Sequence, residues 1–493
     1  MASERTTEGR IDQEARLVPG AVFVSLSAAK LAADVTNRLA GGARFVALLV
    51  DSDGQEPVLR TILARPVAPI VEAAAGDSAP PYSVLSCPLE GDPPGFPTLI
   101  NVTPAAAVFE REIRDLLGQE IETPGPIVDA PGAFQFSVGP VRSGVTEAQQ
   151  FLFETVGEEM LHLAVRLYFK HRGVEKACEG RTPAAALPLV ERISGRSSFA
   201  HSLAFCQAVE YATGSVVPAR AQYLRSVFAE LERLYNHFSD LSDLCESTSL
   251  GIMNAQWAWL KEQTLRLHTT LGVSRYLRNI NQIGGVRTDL DASACKVLEA
   301  AMNTLEPQSA AGARLLERTY SHVQRLEATG ALPEQTAREY GCVGPVARAS
   351  GIEVDARRAS PYAAYGGLNW RVAGYVGGDA LARMYVRLQE IEESFSLVRQ
   401  CSHWLAGNPS ERSQSGVSIP ETGGMGLGWA ETPRGEAVHL VRLSDEGLIL
   451  RAKFRTPSVI NWQPFPLTIE GIMMPDFAVN KASWNLSVAG NDL

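Results

Sequence analysis

The sequence predicts an α+β protein: a small N-terminal α/β domain followed by a mainly helical domain with a peripheral β-sheet. Three observations predict it. Short apolar runs flank a helical stretch before residue 120, apolar spacings of three and four dominate after Thr182, and strand-like alternation returns after Gly423. At 493 residues the chain is too long for one core, so two or three domains are expected.

In the first region AVFVSLS and RFVALLV read as strands around a helix from Ala28 to Leu39, and DSDG at Asp51 to Gly54 turns into a third strand, VLRTILA. PYSVLSCPL and PTLINVT read as two more. AAAVFEREIRDLLG closes the region as a helix with Val108, Ile113, Leu116 and Leu117 on one side, while Glu110, Arg111 and Arg114 face away as a solvated, charged face. Three prolines and two glycines between Thr123 and Phe134 suit an exposed connection, so the expected division is 1–122, a linker over 123–134, and 135–493.

Beyond the linker, QFLFETV and MLHLAVRLYF alternate across a turn at Gly157 and Glu158, as an antiparallel hairpin does, with His162 a half-exposed strand residue. Two long helices follow from the periodicity of Leu224, Phe228, Leu231, Tyr235, Phe238 and Leu241, and from that of Leu381, Met384, Leu388, Ile391, Phe395 and Val398. Phe199 to Tyr211 carries Glu210 as its one carboxylate and should be buried nearly all round. Strand alternation then resumes around a turn at Asp445 to Gly447. The glycines at 423, 424, 426 and 428 read as a surface loop, because neither a Lys-Ser/Thr ending nor a helix follows them.

Composition narrows the function. A net charge of -10 argues against the basic surface that nucleic acid requires. No apolar run reaches the roughly 20 residues of a membrane-spanning helix, and MASERTTEGRIDQEAR has no secretory core, which predicts a cytoplasmic chain able to sit on a membrane complex through protein contacts. The seven cysteines include no CxxC pair, unlike a thiolate metal site.

Longer stretches carry a resemblance. FEREIRDLLG (109–118) resembles the closing motif of the C-type subunit of respiratory complex I. From Gly139 onward GPVRSG, FKHRGVEKACEGRT, FAHSLAFCQAVE, ELERLYNH, VARASGIEVDARRASPYAAY, GDALARMYVRLQEIEES and GWAETPRGEAVHLV resemble, in order, the D-type subunit of complex I. That protein shares its ancestry with the large subunit of membrane-bound energy-converting nickel-iron hydrogenases.

The resemblance implies a site and says what has changed in it. Such hydrogenase subunits hold nickel and iron through two CxxC pairs, in RxCGxCxxxH and DPCxxC. The first motif falls on RISGRSSFAH, so Ser194 and Ser197 stand at the cysteine positions and His201 at the histidine; MPDFAVNKASWNLSVAGNDL (474–493) has no cysteine. A serine hydroxyl is a hard oxygen that stays protonated near neutrality, so a nickel-iron centre is predicted absent. In the complex I branch a histidine and a tyrosine bind a quinone; their places fall near Arg142 and at about Gly195.

The resemblance thus implies a large peripheral-arm subunit on the cytoplasmic face of the membrane. It would pair with a B-type iron-sulfur partner and antiporter-like membrane-arm subunits, and would itself hold no cofactor, a quinone being one candidate occupant. In one reading Arg142, Ser194, Gly195, Arg196, Ser197 and His201 line a metal-free redox cavity coupled to ion translocation, with the arginines and an imidazole of ordinary pKa, about 6.5, supplying charge and protons. In another the fold is an inactive scaffold that presents KHRGVEK and ELERLYNH as a docking surface, with His201 bonded within the start of its helix and Ser198 as N-cap. A working nickel-iron hydrogenase and a standard NADH-quinone oxidoreductase component are the remaining readings.

Overall fold

The computed structural model describes residues 16–18, 20–53, 56–66, 80–89, 95–116, 131–141, 147–415 and 423–493. The chain divides into two compact units, Met1–Thr123 and Pro124–Leu493.

The first unit is a five-stranded sheet with helices. Its strands are β1 (Arg16–Val18), β2 (Ala21–Ser25), β3 (Arg44–Asp53), β4 (Glu56–Ala64) and β5 (Tyr82–Pro88), in the order β1-β2-β5-β4-β3. Only β2 and β5 run parallel. Helix α1 (Ala28–Ala40) places Leu31 and Val35, four residues apart, in the core and stops at Gly41. Helix α2 (Ala107–Leu116) brings Phe109 to 5.9 Å from Phe45 of β3.

Two expectations are corrected here. PTLINVT forms no strand: Thr98 and Leu99 instead turn so that the Thr98 hydroxyl (2.9 Å) and the Leu99 amide donate to Glu110. Glu110 is therefore buried rather than solvated, since two donors compensate its carboxylate. Leu117, the last residue of the predicted apolar side, lies outside the described residues.

In the second unit β6 (Phe134–Val138), β7 (Gln150–Val156) and β8 (Glu159–Arg166) form an antiparallel sheet, with His162 opposite Glu154 and 3.7 Å from its carboxylate. β6 begins at the residue where the linker was expected to end. Short helices α3 (Val174–Cys178) and α4 (Pro183–Val190) precede α5 (Ser198–Thr213), in which every residue from Ser198 to Glu210 is buried, and which ends on left-handed Gly214. The long helices α6 (Ala219–Ser247), α7 (Gly251–Thr270), α8 (Ala292–Arg318) and α9 (Ala380–Gly407) follow, and all six apolar residues of each predicted stripe on α6 and α9 are buried or nearly so.

An antiparallel sheet of β9 (Met425–Thr432), β10 (Gly435–Leu443) and β11 (Ile449–Arg455) then leads to helix α10 (Met474–Trp484). Here the glycine-rich loop expectation fails. Gly426 and Gly428 lie inside β9 against α5, and a Cβ on either would stand 2.0 Å from a carbonyl oxygen, that of Ala208 or Ala204. These glycines let a strand and a helix approach backbone to backbone.

Candidate functional site

Helix α4 stops at Val190, and the turn to α5 carries Ser194 and Ser197, both buried. The Ser194 hydroxyl lies 3.4 Å from that of Ser487, 293 residues away in the tail after α10. Ser487 in turn accepts from the Gly490 amide at 3.0 Å. The guanidinium of Arg172 staples the two segments, donating to the carbonyls of Arg192 (2.7 Å), Ile193 (2.7 Å) and Ala489 (2.6 Å). Residues from both ends of the second unit thus meet in one seat.

Gly195 is exposed, with open space where a side chain would project. Arg196 is half exposed, donates to Asn485 Oδ1 at 2.8 Å and stands 3.6 Å from Asp240 and from Asp243. Arg142 lies outside the described residues. Ser197 occupies the N-cap position predicted for Ser198, yet its hydroxyl caps nothing: the carboxylate of Glu232 takes the amides of Phe199 (2.8 Å) and Ala200 (3.0 Å) instead. Burial, opposed by those two amides, pushes the Glu232 carboxyl up to about 8.

His201 turns into the core. Its Nδ1 lies 3.0 Å from Nε2 of His439 on β10, so one neutral ring donates to the other. Burial, and then the charge of Arg172, lower its pKa to about 3. The expectation of an imidazole titrating near neutrality is corrected: this ring is neutral at pH 7, and its partner is in β10, not within the helix start.

The sequence reading also misplaced ELERLYNH. Far from presenting a surface, Glu230, Glu232, Arg233, Asn236 and His237 are all buried. Glu230 accepts from Arg357 (2.9 Å), Tyr365 (2.6 Å) and Ser394 (2.6 Å). Glu390 of α9 pairs with Arg348 (2.6 Å) and with His237 (2.7 Å), and Arg348 reaches Glu431 of β9 at 2.9 Å. Burial works against the charge on Glu390, but Arg348, His237 and Arg233 outweigh it and hold the carboxyl well below the usual range. Asp240 responds alike: burial opposes its charge, and Arg434, Arg387 and Arg196 overcome that and lower its pKa. The one sign of this array in sequence is the clustering of charge in ELERLYNH, GIEVDARR and QEIEES, where Arg233–Glu230 and Arg357–Asp355 pair locally and other pairs, such as Arg233–Glu390 and Arg357–Glu230, join distant segments.

The donors decide what the seat can hold. Ser194, Ser197 and Ser487 offer hydroxyl oxygen and Gly490 no side chain, so these residues do not fit a thiolate-held nickel-iron centre. The seven cysteines are buried, and burial lifts the Cys178 thiol to about 12 and Cys206 above that. Among the described residues no cluster of three or more His, Cys, Asp and Glu could hold a metal ion.

Comparison with known proteins gives the wider setting. Residues 251–427 and 411–492 match the 49-kDa subunit of respiratory-chain NADH dehydrogenase, and residues 172–269 match nickel-dependent hydrogenase. The chain is 30% identical over 349 residues to the carbon monoxide-induced hydrogenase of Rhodospirillum rubrum, covering 70% of this chain and 94% of that one. The chain belongs to this hydrogenase and complex I large-subunit family. Within the family, formate hydrogenlyase subunit 5 of Escherichia coli (strain K12) is 28% identical, covering 79% of this chain and 75% of its own, and the NADH-quinone oxidoreductase D 1 subunit of Chloroherpeton thalassium is 26% identical over 70% and 83%. In structure, a chain of the membrane-bound sulfane sulfur reductase, an archaeal respiratory membrane complex, superposes with a TM-score of 0.68 at 24% identity, covering 74% of this chain and 99% of that one. The α+β large-subunit fold is the family's.

Proposed function

We propose that this chain is the large peripheral-arm subunit of a membrane-bound, complex I-like oxidoreductase complex, and that its seat of Ser194, Ser197 and Ser487 is a metal-free redox cavity. One observation carries the reading: the 3.4 Å contact of Ser194 with Ser487 assembles the seat from the segments where the family's hydrogenases keep their cysteines, with hydroxyls in their stead. Half-exposed Arg196, beside Ser197, would face a reduced, negatively charged acceptor, and Arg142 would join it. A quinone suits such a pocket, since hydroxyl and guanidinium donors match its carbonyls.

Among the described residues no helix is long and apolar enough to cross a membrane, so attachment would run through membrane-arm partners, on the cytoplasmic face, with an iron-sulfur partner bringing electrons. Residues 1–122 would serve as a C-type docking module of the complex I kind. The scaffold reading has its own support, because His201 is locked in the core and Arg196 is engaged with Asn485, Asp240 and Asp243. Turnover separates the two. In the purified complex, with decylubiquinone as probe acceptor, Arg196→Ala and Arg142→Ala should each lower turnover roughly ten- to a hundredfold while the subunits stay assembled; unchanged turnover would favour the scaffold.

A further inference from the structure

Three stretches far apart in sequence converge on one stripe of α6. Glu232, Asn236 and Asp240 follow one another at intervals of four residues, so they share a helix face, and all three are buried. Glu232 takes the two free amides at the start of α5. The Asn236 amide donates to the carbonyls of Arg196 (2.7 Å) and Glu232 (2.9 Å), while its oxygen accepts from Arg434 at 3.1 Å. Asp240 accepts from Arg434 (3.0 Å) and from Asn485 Nδ2 (2.6 Å). Arg434, in the turn between β9 and β10, donates to the Asn485 carbonyl at 2.6 Å and completes the circuit.

None of these bonds reaches Ser194, Ser197 or Ser487. They grip the residues next to them: Arg196, Phe199 and Asn485. A 3.4 Å hydroxyl contact is too weak to fix the spacing of its two segments; Arg172 ties their backbones at Arg192, Ile193 and Ala489, and the buried polar network on α6 adds a second, stiff hold at Arg196, Phe199 and Asn485. We propose that Glu232, Asn236 and Asp240 are positioning residues that set the separation of the Ser194–Ser197 turn from the Ser487 tail. The inference rests on reading that seat as the working site.

The test is Asn236→Ala in the purified complex, followed by hydrogen-deuterium exchange and by turnover with decylubiquinone. Peptides over 192–200 and 485–490 should exchange at least roughly tenfold faster, with peptides over α8 at the wild-type rate. Turnover should fall about tenfold or more in kcat, with KM within about twofold. Wild-type exchange at both segments would overturn the proposal, and so would uniform acceleration across the second unit, the mark of a merely structural residue. Should that variant not assemble, Asn485→Gly keeps the left-handed backbone of this position (φ 45°) while removing the Arg196 and Asp240 bonds, and the same pair of segments should loosen. Local loosening with turnover intact would uphold the positioning role and refute the redox reading of the seat.

Discussion

Gly428 has no room for a single methyl group, because the Ala204 carbonyl lies 2.0 Å from where its Cβ would be. Gly428→Ala should therefore destabilise the second unit by about 1–3 kcal/mol through forced separation of β9 from α5, read as a lower denaturation midpoint. The His201–His439 pair offers a test by pH. The folded pKa of His201, about 3, lies below its unfolded value of about 6.5, so its stabilising effect is complete above that value and lost as pH falls toward 3. Between pH 7 and pH 5 this group alone costs the fold about 2 kcal/mol, and burial holds His439 well below its ordinary value too, so a His201→Leu/His439→Leu protein should show a fall in stability, read by urea denaturation, shallower by at least that amount. Neither feature was legible in sequence. A glycine's neighbour and a histidine's partner are set by contacts across more than 200 residues, and local pattern carries no record of them.

Helices α6 and α9 were legible as elements because their apolar residues recur with the helical period, and that period survives whatever lies on the other faces. Their burial was not. A helix in the middle of a unit must fill its remaining faces, and this one fills them with carboxylates and guanidinium groups that neutralise one another across segments, so ELERLYNH looks amphipathic and is not. Arg348 is the keystone of that array, touching Glu390, Glu431 and Asp355 while wholly shielded from water. Arg348→Met should cost about 3–5 kcal/mol, since it takes from buried Glu431 its guanidinium and leaves Glu390 and Asp355 to Arg233 and Arg357. Chemical denaturation of the full chain checks this; a change below about 1 kcal/mol would mean that water reaches the array and screens it.

At the scale of the molecule, two compact units and a seat assembled from Arg172, residues 192–197 and residues 485–490 make up the functional picture. The seat's first half was readable, since RISGRSSFAH keeps the family's spacing with serine for cysteine. Its second half was readable only as a tail without cysteine, because Ser487 gains meaning from Ser194 alone. The proposed function turns on oxygen standing in place of sulfur at both halves, and metal content is its sharpest test. Elemental analysis of the purified complex should find no stoichiometric nickel, with any iron traceable to the proposed iron-sulfur partner. One nickel per chain, removed together with activity, would overturn the metal-free reading of the seat.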